Sequence, residues 1–97
     1  MSPELKAQIF TIVARVPEGR VTSYGRIAAM TEGATARMVG TAMRQLPNGH
    51  GLPWHRVINA SGKLADHAGA AEQQRLLKAE GINLEGRARV PAAFFWP

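Results

Sequence analysis

The chain has 97 residues, with 12 basic and 7 acidic side chains and no cysteine. That length predicts one domain, residues 1–97, with a modest core, and the lack of cysteine excludes a disulfide framework, a thiolate metal site and a cysteine nucleophile. A net charge of +5 points to an anionic partner, with nucleic acid the first candidate. No stretch approaches the roughly 20 apolar residues of a membrane span, and Met1 to Lys6 lacks a leader pattern, so an intracellular, cytoplasmic protein is expected. Between Glu32 and Asp66 there is no acidic residue, whereas Arg37, Arg44, Arg56 and Lys63 fall inside that stretch. Nine of the twelve cations are arginine, the side chain that forks onto phosphates and stacks on bases.

In chain order, Ser2 is a helix cap with Pro3 at the first helical position. Leu5, Ile9, Ile12, Val13 and Val16 follow at helical spacing as one buried stripe, and Pro17-Glu18-Gly19 ends the helix. Val21 is expected to pair briefly as a strand. Thr22 or Ser23 caps a short helix from Tyr24 to about Thr31. After a turn at Glu32-Gly33-Ala34, Thr35 caps a helix from about Ala36 to Leu46, which stops before Pro47. Val39, Ala42, Met43 and Leu46 share its inner face. Arg37, Gly40, Thr41 and Arg44 share the outer face, which is small in the middle and basic at both ends. Such a face suits close approach to another surface, or is a solvated helix with an incidental glycine. Two short helices joined by a tight turn read as a helix-turn-helix. Val57-Ile58 and Lys63-Leu64, joined by Asn59 to Gly62, predict a hairpin or wing. A last helix spans about Ala70 to Glu80, with Gln73, Leu76, Leu77 and Glu80 on one face and Gly81 as its stop. Phe94, Phe95 and Trp96 are expected to close the core. The elements add up to an α+β fold: a single small domain with a winged helix-turn-helix. His50, His55 and His67 fit no usual metal spacing, so neither metal nor cofactor is expected.

Three strings carry a resemblance: Val21-Thr22-Ser23-Tyr24-Gly25-Arg26-Ile27-Ala28, Ala36-Arg37-Met38-Val39-Gly40-Thr41-Ala42-Met43, and Pro53-Trp54-His55-Arg56-Val57. In this order they resemble the DNA-binding domain of O6-alkylguanine-DNA alkyltransferases. That family carries Pro-Cys-His-Arg-Val, whose cysteine takes the alkyl group irreversibly. Trp54 stands at the cysteine position, as in the alkyltransferase-like proteins, which bind the lesion without repairing it. The resemblance implies a non-enzymatic monomer that binds double-stranded DNA containing O6-alkylguanine through the minor groove. It implies base flipping and hand-off to nucleotide excision repair proteins.

By the same resemblance, Tyr24 rotates the 3′ phosphate of the target nucleotide; read alone, it is equally a half-buried tyrosine at a helix start. Arg37 is a finger that fills the space left by the flipped base, or an ordinary phosphate contact. Ser23, Ala36, Gly40, Thr41 and Arg44 complete the expected DNA-binding face. The lesion pocket is assigned to Tyr24, Met43, Trp54, Val57 and His67. Val57 matches a position whose backbone carbonyl reads guanine, and Lys63 to Gly69 is expected to form the other pocket wall. His55 and Glu80 match the pair that activates the thiol in the enzymes; with no thiol they become a structural brace. Arg56 anchors the loop or pairs internally. The chain departs from familiar members at Leu46, where the enzymes have asparagine, and at His67, near which some relatives have an arginine. Two rivals stand beside this expectation. An active alkyltransferase is opposed by the absence of cysteine. A winged-helix regulator reading a defined operator would need a longer polar recognition face than Arg37-Gly40-Thr41-Arg44.

Overall fold

The computed structural model describes residues 1–64, 69–86 and 88–97. Helix α1 spans Pro3–Arg15; the Ser2 hydroxyl accepts from the Leu5 N–H at 3.1 Å, and Pro3 sits where no donor is needed. Ile9, Ile12 and Val13 turn inward from it. The chain leaves at Val16, and Gly19 adopts φ +81° in the following turn.

Strand β1 is Thr22–Ser23 and runs directly into α2, Tyr24–Ala29. The Ser23 hydroxyl accepts from the Arg26 N–H at 3.1 Å and so starts that helix. Gly33, at φ +83°, makes the turn to α3, Ala36–Arg44. Thr35 caps α3 by accepting from the Met38 N–H. Val39 and Ala42 are buried on α3's inner face, against Ile27 of α2 and Ile9, Ile12 and Val13 of α1. Both helices of the pair end two residues before the expected points, each in a tightened last turn.

A 3₁₀ turn, Trp54–Arg56, leads into β2, Val57–Ile58. Here the structure corrects the sequence expectation. β2 pairs with β1 in parallel, Thr22 opposite Val57 and Ser23 opposite Ile58, and not with Lys63-Leu64 in a hairpin. The cause lies at Gly62. The turn closes from the Gly62 N–H to the Asn59 carbonyl, and Gly62 then packs so tightly that a Cβ there would lie 2.5 Å from the Val90 oxygen. The Gly62 carbonyl accepts from Val90, and the Leu64 N–H donates to Ala88. Lys63-Leu64 is thereby claimed by the C-terminal segment, with Lys63 bridged to Arg89.

Helix α4, Ala70–Ala79, buries Gln73 and Leu77. Leu77, Ile58, Leu64, Ile82, Val21 and Val90 form a second cluster under β1 and β2, with Phe94 and Phe95 packed on it. Trp96 packs on the first cluster, so the tail's aromatics are absorbed by the core as expected. Val21 exchanges backbone hydrogen bonds with Phe94 and Trp96 and bridges to Phe95, not to a neighbouring strand. Among the described residues, no helix is long and apolar enough to cross a membrane.

Candidate nucleic-acid interface

The site has two parts, a cationic helix face and a fastened turn. The face belongs to α3. Ala36, Arg37 and Arg44 are exposed, and Gly40 and Thr41 are partly so. A Cβ on Gly40 would meet only the Arg44 guanidinium, at an ordinary 3.6 Å. None of the described residues therefore requires glycine there, and its smallness matters to what lies outside. Thr41 donates to the Arg37 carbonyl and accepts from Arg44 at 3.2 Å, which lays the Arg44 side chain along the helix. The Arg37 guanidinium has no hydrogen-bond or ion-pair partner among the described residues.

Tyr24, at the first position of α2, is half-buried and packs on the first core cluster. Burial raises its pKa above the usual 10.0, and the charge of Arg44 opposes that only in part. The phenol is thus neutral at physiological pH and can donate a hydrogen bond. Met43 packs on the same cluster, partly exposed.

The turn belongs to Pro53-Trp54-His55-Arg56-Val57. Its fastening point is Glu80, just past α4. The Glu80 carboxylate accepts from His55 Nε2 at 2.5 Å, from Arg56 Nη2 at 2.8 Å and Nε at 3.0 Å, and from the Gly19 N–H at 2.8 Å. Arg56 Nη1 also donates to the Val16 carbonyl at 2.9 Å. Burial would raise the Glu80 pKa, but hydrogen bonds from Arg56, Gly19 and His55, with the Arg56 charge, outweigh it and hold the value at about 2. His55 and Glu80 are thus hydrogen-bonded to each other, and Arg56 pairs with Glu80 and reaches back to the Val16 carbonyl.

Trp54 lies partly exposed at the front of this turn, edge-on to the His55 ring with centroids 6.2 Å apart. A second clamp comes from Gln73, 4% exposed, whose Nε2 donates to the His55 carbonyl at 3.2 Å and the Val57 carbonyl at 3.3 Å. Val57 itself is 3% exposed, and its side chain is part of the core. The carbonyl expected to read a base already accepts an internal hydrogen bond, from Gln73 Nε2.

The structure brings Tyr24, Met43 and Val57 to one cluster and sets Trp54 at the head of the turn that ends in Val57. It removes Ser23 from the expected DNA-binding face. At 2% exposure with its hydroxyl capping α2, Ser23 presents no side chain to a ligand. His67, and most of the expected wall between Lys63 and Gly69, lie outside the described residues. Gln73 and the Gly19 N–H were not among the expected site groups. Gln73 does leave a trace, being an amide four residues before Leu77 on α4's apolar stripe. The Gly19 N–H leaves none.

Comparison with known proteins agrees with this arrangement. The family described as 6-O-methylguanine DNA methyltransferase, DNA binding domain, matches residues 4–82, and the chain belongs to that family. It is 39% identical over 85 residues to the DNA base-flipping protein of Escherichia coli, covering 86% of this chain and 66% of that protein. It is 37% identical over 86 residues to Alkyltransferase-like protein 1 of Schizosaccharomyces pombe, covering 84% and 79% respectively. In structure it matches S. pombe Atl1 in complex with damaged DNA containing O6-carboxymethylguanine, with a TM-score of 0.90 and 30% identity over 100% of this chain and 98% of that one. Against the Mycobacterium tuberculosis methyltransferase bound to DNA the TM-score is 0.70 at 34% identity, and 95% of this chain covers 55% of that one. The chain thus spans about half of the full methyltransferase and slightly under two thirds of the E. coli protein.

Proposed function

We propose that this chain recognises O6-alkylguanine in duplex DNA without removing the alkyl group, and marks it for nucleotide excision repair proteins. The observation that carries this reading is Trp54. In a chain without cysteine, an indole stands second in Pro53-Trp54-His55-Arg56-Val57, and that turn is fastened by both Glu80 and Gln73. An indole cannot accept an alkyl group as a thiolate does, but it can pack on a flipped purine for about 1–3 kcal/mol. The names of the similar proteins, a DNA base-flipping protein and an alkyltransferase-like protein, support the same reading.

In this mechanism the cations of α3 capture the phosphate backbone, and the slim centre at Ala36, Gly40 and Thr41 enters the minor groove. The neutral Tyr24 phenol donates to a phosphate as the damaged nucleotide swings out. Arg37, unpartnered among the described residues, fills the vacated stack, where a planar guanidinium can both stack and hydrogen-bond. Tyr24, Met43, Trp54 and the Val57 backbone face the extruded base, and His67 is assigned to the same pocket by the family resemblance. An O6-alkyl group weakens pairing, so extrusion costs less at lesions than elsewhere. The protein acts as a monomer.

The test compares one duplex with and without a single O6-methylguanine. Wild-type protein should bind the modified duplex more tightly, with affinity falling steeply as salt rises. Trp54→Ala should erase about 1–3 kcal/mol of that preference, and Arg37→Ala should weaken binding without lowering the melting temperature. No label should pass from alkyl-labelled DNA to the protein. Equal affinity for the two duplexes, or stoichiometric label transfer, defeats the reading.

A further inference from the structure

Trp54 is fastened mainly from behind. Glu80 holds His55 and Arg56, and Gln73 holds the His55 and Val57 carbonyls, all on the C-terminal side of the indole. On the entry side the chain leaving α3 passes through Gly49 at φ +74° and Gly51 at φ +71°, and a Cβ on either would meet nothing within 4 Å. Such a stretch has little packing of its own to fix it. Among the described residues, the one side-chain hydrogen bond across 47–53 is made by His50, whose Nδ1 accepts from the Leu52 N–H at 2.8 Å. Leu52 packs on the first core cluster, and its carbonyl accepts from the Trp54 N–H at 2.8 Å around Pro53, which lies at φ −78° and ψ 65°. That is an inverse γ-turn. The Leu52 residue is thus bonded on both sides, to His50 before it and to Trp54 after it.

We propose that His50 is a positioning residue for lesion recognition: its ring nitrogen closes the loop that delivers the Trp54 indole to the extruded base. This rests on the reading of Trp54 given above. Nδ1 stands as many bonds from Cα as the Oδ1 of asparagine, so the contact reproduces the ring of an Asx-turn, in which Asn or Asp accepts from the N–H two residues on. With a glycine on either side, that one hydrogen bond holds the loop or, when lost, releases it. Without the acceptor the part-buried Leu52 N–H must turn toward water, and the entry to the γ-turn loses its tether. Trp54 then has to be ordered as the base arrives, and that cost falls on binding of the modified duplex. The cationic face of α3, which meets any duplex through its phosphates, is not on this path.

The experiment measures binding of the full chain to one duplex with and without a single O6-methylguanine, at about pH 8, where an ordinary imidazole is neutral. His50→Ala should lose about fivefold in affinity for the modified duplex and stay within about twofold on the unmodified one. His50→Asn, which keeps the acceptor, should recover wild-type affinity for both. His50→Phe, which keeps a ring without an acceptor, should behave as alanine does. In a Trp54→Ala background, His50→Ala should cost nothing further. Equal weakening on both duplexes, full lesion preference in His50→Ala or His50→Phe, no recovery in His50→Asn, or a further loss in the Trp54→Ala background each overturns the positioning role alone. Wild-type protein that binds both duplexes equally overturns the reading of Trp54, and the positioning role with it.

Discussion

The Glu80 node and the outer face of α3 are both built around arginine, and they use it in opposite ways. At the node, Arg56 is held by two acceptors, the Glu80 carboxylate and the Val16 carbonyl, and His55 shares that carboxylate. On α3, Arg37 has no partner among the described residues, and Arg44 has only a threonine hydroxyl. The first arginine is spent on shape, the second pair is left for a ligand. The family motif residues thus divide into a frame that satisfies itself and a surface that does not. Substitutions should separate the two, with stability following the frame and DNA binding following the surface.

The largest effect should come from Glu80→Ala. It leaves the Arg56 cation, the His55 ring and the Gly19 N–H without their shared acceptor, which should cost about 3–5 kcal/mol in urea or thermal unfolding. A loss below about 1 kcal/mol would show the node to be a surface-type contact after all.

Next comes acid. The Glu80 pKa is about 2 in the folded chain against 4.5 as the ordinary value. A lowered folded-state value means the stabilisation is complete above pH 4.5 and is withdrawn as the pH falls toward 2. It amounts to about 3 kcal/mol for a group this enclosed. Denaturation curves between pH 6 and pH 2 should show that loss, and Glu80→Gln should flatten much of it. A wild-type chain as stable at pH 2.5 as at pH 6 contradicts the assignment.

The smallest effect is the sharpest discriminator. Gly40→Ala meets only the Arg44 guanidinium at an ordinary distance, so the helix should gain up to about 1 kcal/mol from better propensity. The same methyl stands on the face meant to enter a narrow groove, so affinity for duplex DNA should fall. A variant that melts higher and binds worse separates fold from function in one residue; unchanged binding would mean that α3 does not approach DNA closely at this point.

Much of the frame was legible because its signals are local. Ser2, Ser23 and Thr35 sit immediately before helices they can cap, and each hydroxyl does accept from an N–H three residues on. The apolar positions of α1 and the two faces of α3 could be read from a 3.6-residue period alone. The hairpin failed for a related reason. Val57-Ile58 and Lys63-Leu64 have strand composition and a turn between them, but composition does not choose a partner. Thr22 lies 35 positions from Val57 and Gly62 lies 28 from Val90, and no periodic pattern links residues so far apart.

By itself, then, the chain determined where its helices begin and which faces they bury, how its positive charge is distributed, and that an indole replaces a thiol in a recognisable motif. These depend on neighbours within a few residues, whose geometry the backbone sets. Only the tertiary structure decided that β2 pairs in parallel with β1, that Glu80 gathers Gly19, His55 and Arg56, that Gln73 clamps the turn, and that Ser23 is hidden. Those outcomes turn on which distant polar groups must be satisfied once the two apolar clusters close, and that competition is settled only when the whole chain has packed.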